Sequence, residues 1–101
     1  MLTLRPNCEN CNKSLPYDST EAMICSFECT FCATCVAQVL HNVCPNCGGG
    51  FEKRPVRPQE GLDGNSIKNY PPTDRVVLKP VDHNTFKNTL ANFKNINPEE
   101  R

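Results

Sequence analysis

The 101-residue chain has no tryptophan, two tyrosines and five phenylalanines, and only 38% of its residues are hydrophobic. So few large apolar side chains exclude a stability that rests on burial alone, because a domain this small already buries a low fraction of its surface. The formal net charge is zero, from eleven basic and eleven acidic residues. That removes the overall attraction by which strongly basic proteins collect on nucleic acid or anionic membranes. No stretch approaches the roughly 18 apolar residues of a membrane span. The opening MLTLRP lacks the basic-then-apolar pattern of an export signal, so a cytoplasmic address is expected. The two histidines, His41 and His83, join no plausible acid–base set. His41 falls at the end of a predicted helix, where an imidazolium suits the dipole, and His83 lies in a polar turn. The chain is therefore expected not to be an enzyme.

What the sequence does hold is cysteine. All eight lie between Cys8 and Cys47 with the spacing C-x2-C-x13-C-x3-C-x2-C-x2-C-x8-C-x2-C. In a reducing compartment eight thiols do not persist as four disulfides, whereas local pairs two or three residues apart are what tetrahedral thiolate sites use. Metal is expected, and the four pairs Cys8/Cys11, Cys25/Cys29, Cys32/Cys35 and Cys44/Cys47 suffice for two ions. Two-site thiolate spacing favours Zn²⁺ over iron. Every cysteine is then consumed, which leaves no open coordination position of the kind catalytic zinc keeps.

The neighbours of each pair suggest how they combine. A metal knuckle leaves the residue after its second cysteine at positive φ, which suits Gly best and Asn next. Cys47 is followed by Gly48 and Cys11 by Asn12, so both pairs read as knuckles. Cys35 is followed by β-branched Val36, and Val36, Val39 and Leu40 share a helical face, so Cys32/Cys35 reads as a helix start. Residues 21 to 31 resemble two short strands joined by a tight turn near Cys25 and Cys29. Knuckle, hairpin and helix start, in that order, make a treble clef. This assigns Cys8, Cys11, Cys32 and Cys35 to one site and Cys25, Cys29, Cys44 and Cys47 to a second, in an interleaved cross-brace. Nested pairing of the two knuckles, as in a zinc ribbon, and sequential pairing are the alternatives. The apolar residues available to help are few, chiefly Leu15, Ile24, Phe31, Val39, Leu40 and Phe51.

The predicted fold class is a small metal-stabilised α+β domain in three parts. Residues 1–54 form the cysteine unit. Residues 55–81 form an extended, Pro- and Gly-rich connector ending in a short strand, RVVLKPV, at 75–81. Residues 82–101 form a helix and tail. In the helix, expected over 85–96, Phe86, Leu90 and Phe93 lie on one face; Asn84 or Asp82 could cap its start and Asn97-Pro98 would stop it. Three helical turns are unstable alone in water. That face is expected to dock on its own domain, with a partner contact as the alternative.

Charge is unevenly placed. Residues 1–50 carry two basic and four acidic groups and residues 51–101 nine and seven, a balance of −2 against +2. Two Zn²⁺ on eight thiolates would add −8 + 4 = −4 to the first half, a poor docking surface for phosphate. A protein partner is therefore expected for a non-catalytic zinc module. Nucleic-acid binding through Lys53, Arg54 and Arg57 beside Phe51 is one alternative, and a thiol redox or metal-responsive role another.

Two resemblances follow from these motifs. Cys29-Thr30-Phe31-Cys32 and Cys44-Pro45-Asn46-Cys47 are similar to the "H-x-F-C" and "C-P-x-C" of RING fingers, with cysteine for histidine. The RING likeness implies a two-metal cross-brace. The apolar residues that line a ligase groove are replaced here by Glu9 and Asn10 in the first pair and by His41, Asn42 and Val43 before the last. More of the chain, through RPNCENCNKSLP, DSTEAMICSFECTFC, CPNCGG and RVVLKP, resembles the short bacterial proteins called domain of unknown function 1272. That resemblance implies a bacterial cytosolic protein with two zinc sites and no assigned activity, and a tail after Pro80 that extends beyond the family's length.

Overall fold

A computed structural model describes all 101 residues. Its centre is a three-stranded antiparallel sheet of β1 (Ala22–Ile24), β2 (Thr30–Cys32) and β3 (Glu52–Lys53), in the order β2-β1-β3. Ala22 pairs with Cys32, Met23 with Phe31 and Ile24 with Thr30, so the next cross-strand pair is Cys25 and Cys29 at the turn. The Cys25 N–H donates to the Cys29 carbonyl at 3.2 Å, and Glu28 closes the turn at φ 66. The expected hairpin is present, and β3, from beyond the last cysteine, adds to its free edge.

β2 passes directly into α1 (Ala33–Cys35), where the Cys32 sulfur caps the Cys35 N–H at 3.4 Å. Residues Val36–Leu40 continue as one wide π-helical turn. The cause of its width lies at its end, where His41 and Asn42 both adopt left-handed backbone (φ 50 and 61) and both donate their N–H to the Val36 carbonyl.

The core is a cluster of fourteen buried residues, six of them cysteines; the rest include Leu15, Phe31, Leu40, Val43, Phe51 and Phe86. Phe31 and Phe51 meet edge-to-face with ring centroids 5.4 Å apart. Leu15, Phe31, Leu40 and Phe51 are buried as their patterning predicts, Val39 packs at the margin, and Ile24 is half-buried. No helix is long and apolar enough to cross a membrane.

The segment 75–81, expected as a short strand, is not one. It lies extended against the N-terminal loop through isolated bonds. Thr73 N–H reaches the Leu4 carbonyl at 3.1 Å, the Asn7 side-chain amide reaches the Val77 carbonyl at 2.8 Å, and Lys79 N–H reaches the Glu9 carbonyl at 2.7 Å. Val81 N–H reaches Asn10 Oδ1 at 2.9 Å. Within 75–81 itself, two of the three links use a side chain and Pro80 has no N–H to offer, so no ladder propagates. α2 (His83–Phe93) does form, with Asp82 as its cap through a 2.9 Å bond to the Asn84 N–H. Phe86 enters the core, and Leu90 and Phe93 pack against it. With its connector laid along the outside, the molecule has a radius of gyration of 14.3 Å, against about 13 Å for a compact chain of this length.

Arg54, read from sequence as one of a surface basic cluster, is only 1% exposed. Its guanidinium donates to the carbonyls of Arg5 at 2.8 Å, Leu15 at 3.1 Å and Pro16 at 2.9 Å, tying the strand after the last knuckle to the segment around the first. Arg54→Ala strips three carbonyls of their donor at once. It is expected to cost about 3 kcal/mol in denaturant unfolding, with Arg54→Lys recovering part of the loss. A loss below about 0.5 kcal/mol, the range of ordinary surface changes, would contradict this role.

Candidate metal centre

The two knuckles are built alike. Cys8 N–H donates to the Lys13 carbonyl and Asn12 N–H to the Cys8 carbonyl, both at 2.9 Å. Cys44 N–H donates to the Gly49 carbonyl and Gly48 N–H to the Cys44 carbonyl, both at 2.8 Å. Each turn closes through the left-handed residue expected after its second cysteine, Asn12 at φ 65 and Gly48 at φ 79. Val36 stays right-handed at φ −60, so the third pair opens a helix instead.

These turns bring the sulfurs of Cys8, Cys11, Cys32 and Cys35 within 4.8 Å of one another, and those of Cys25, Cys44 and Cys47 likewise. All eight thiols are free. The 3.8 Å between the Cys11 and Cys32 sulfurs is far beyond a disulfide bond and equals the edge, about 3.8 Å, of a tetrahedron whose centre lies ~2.3 Å from each sulfur. The first donor set therefore fits a tetrahedral thiolate-bound cation such as zinc.

Cys29 is not drawn into the second group. Its sulfur accepts a 3.4 Å bond from the Asn46 side-chain amide, although it stays beside Cys25 across the hairpin end. Three of the four cysteines expected there are gathered, and the fourth is adjacent.

Donors already point at the sulfurs. Asn10 Nδ2 lies 3.3 Å from Cys35 Sγ, Phe27 N–H 3.4 Å from Cys25 Sγ and Gly49 N–H 3.4 Å from Cys47 Sγ. Burial raises the thiol pKa at Cys11, Cys29 and Cys44 and pushes Cys35 up to about 12. At Cys8 burial acts the same way, but the backbone amides of Cys11, Cys32 and Asn10 outweigh it and hold the thiol below its ordinary value. Crowded thiols of this kind ionise together only when a shared cation offsets their charge.

Several supports were missed by sequence reasoning. Glu9, inside the first knuckle, is 4% exposed. Its carboxylate accepts from the Thr30 N–H and from Arg5 Nη1 at 2.8 Å, fastening the knuckle to β2. The four-residue spacing of Arg5 and Glu9 was the available signal; the long-range partner Thr30 had none. The remaining predicted contact residues are dispersed. Lys53 is exposed on β3, Arg57 is half-buried with its guanidinium on the carbonyls of Leu2 and Tyr70, and Phe86, Leu90 and Phe93 face their own core.

Two sulfur clusters set on a small α+β frame define a cysteine-rich protein that could hold two metal ions. Residues 1–57 match the model of the family described as "Protein of unknown function (DUF1272)", a stretch that includes every cysteine, and the chain belongs to that family. An uncharacterized protein of Rhizobium meliloti (strain 1021) is similar, with 55% identity over 80 residues covering 79% of this chain and 89% of that protein. No solved structure matches.

The left-handed turn after Cys11 gives a direct check. Asn12→Gly is expected to leave stability nearly unchanged, while Asn12→Val, forced to φ 65, loses ~1–2 kcal/mol. Equal losses in both variants, by thermal or denaturant unfolding, would contradict the knuckle geometry.

Proposed function

We propose that this protein is a non-catalytic, two-zinc module of the bacterial cytosol that presents a rigid surface to a protein partner, with a RING-like, treble-clef cross-brace as its frame. The observation that carries the reading is the sorting of the sulfurs. The knuckle at Cys8 and Cys11 meets the helix start at Cys32 and Cys35, while Cys25, from the hairpin between them, meets Cys44 and Cys47. Alternate pairs sharing a site is what a cross-brace requires. Cys29 completes the second site by rotating its side chain from Asn46 toward Cys25. Bound zinc supplies charge and geometry that hold the two loops; with four thiolates on each ion, no position is left for water and hence none for hydrolytic chemistry.

A protein partner is favoured over nucleic acid on charge. Each four-thiolate site carries −4 + 2 = −2, and Arg54 is withdrawn into the interior, so the basic flank near residue 53 is thinner than its sequence suggests.

Native mass spectrometry of the reduced chain is expected to show two Zn²⁺. Cys8→Ser or Cys35→Ser should each remove one ion, and Cys25→Ser, Cys29→Ser or Cys47→Ser the other. Retention of both ions in Cys29→Ser would leave the second site with three thiolates and count against the closed-site reading. For the partner role, affinity capture with the zinc-loaded chain is expected to retain a discrete protein that the Cys32→Ser/Cys47→Ser variant does not. Capture of nothing, together with binding of labelled nucleic acid at moderate salt in an anisotropy titration, would reverse the assignment.

A further inference from the structure

The residues that follow the connector make a lopsided set of contacts. The Phe93 ring lies so close over Gly48 that a Cβ there would sit 2.9 Å from it, and Pro98 covers Gly50 in the same way at 2.8 Å. Arg101 Nη1 donates to the carbonyls of Asn42 at 2.7 Å and Gly48 at 3.2 Å, while its Nε is steadied by the Ile96 carbonyl at 3.0 Å. Asn42, Gly48 and Gly50 all belong to the loop that carries Cys44 and Cys47. The first loop is bonded instead by residues further upstream, with Lys79 N–H on the Glu9 carbonyl and Val81 N–H on Asn10 Oδ1. No hydrogen bond from residues 82–101 reaches it.

We infer that residues 82–101 form a strap specific to the second metal loop, and that docking of this strap and retention of the ion at Cys25, Cys29, Cys44 and Cys47 strengthen each other. The inference rests on the two-zinc reading. A segment that fits only the folded loop must raise the loop's hold on its ion by the same factor as the ion raises docking. The strap holds three basic and three acidic residues, so its hold on the loop comes from packing and from the two carbonyls that accept from Arg101 rather than from net charge. Glycine at 48 serves both needs. Its φ of 79 closes the knuckle, and its lack of a side chain lets Phe93 sit on it. Release of the strap uncovers Leu90, Phe93 and the outer side of Phe86, so loss of one ion becomes exposure of an apolar helix face. The device converts metal status at a single site into a change of surface.

The test begins with full-length, zinc-loaded protein shown by native mass spectrometry to hold two ions. A chain that holds none removes the two-zinc reading, and the strap with it. Ion release to excess chelator is then followed with a metal-sensitive dye, and amide exchange localises which loop opens. In Phe93→Ala/Arg101→Ala one ion is expected to leave about tenfold faster, with protection lost at residues 42–50 and kept at 8–13. Arg101→Ala alone, which alters no core side chain, should show the same selectivity at a few-fold, and it carries the test if the double variant does not fold. Release of both ions at wild-type rates, or equal acceleration of both, overturns the strap while leaving the two-zinc reading intact.

Discussion

Cys11 and Cys32 are 21 residues apart in the chain, and their sulfurs lie 3.8 Å from each other. That convergence, repeated among Cys25, Cys44 and Cys47, is the constraint the remaining structure answers to. The sheet has only eight residues in its three strands, too few for independent stability. α1 is a single turn. β2 ends at Cys32, α1 ends at Cys35 and β1 stops one residue before Cys25, so these short elements are placed by the cysteines at their ends rather than by their own length. On the proposed reading, each ion joins segments that are distant in the chain, and forming either site places the cysteines of the other.

The polar framework serves the same end. Glu9 fastens the first knuckle to β2 and accepts Arg5, whose carbonyl in turn accepts Arg54 from the strand beyond the last knuckle. The result is one partly buried chain of charge-assisted bonds between the first knuckle, β2 and the residue after β3. Such a chain fixes the relative orientation of the loops in a molecule where six of fourteen core positions are sulfur and few are large apolar side chains.

Much of the site was legible because its signals are local. A Gly or Asn after a cysteine pair predicts a left-handed turn from backbone sterics alone, and Gly48 and Asn12 adopt it; Val36 predicts the opposite and stays helical. The face of Phe86, Leu90 and Phe93 likewise gives a helix that must dock, and it does. What could not be read depends on who lies opposite. Arg54 sits in a run with Lys53 and Arg57 that looks like a solvated basic patch, and only the fold reveals three carbonyls converging on it. The stretch 75–81 has strand-forming residues but meets an irregular loop, so it makes single bonds and no ladder. Cys29 lies just outside its cluster, its sulfur accepting a 3.4 Å bond from the side-chain amide of Asn46, a partner seventeen residues away that no local pattern announces. β3 pairs on the outside of the hairpin with two exposed residues that carry no alternating pattern.

The most direct measurement is the proton–nitrogen correlation spectrum of the reduced protein before and after complete removal of metal. If thiolate-held cations define the fold, the dispersed amide signals of residues 8 to 54 collapse on stripping and return when zinc is added back, because the metal's binding free energy is then folding free energy. A spectrum that keeps its dispersion without any metal would contradict the account.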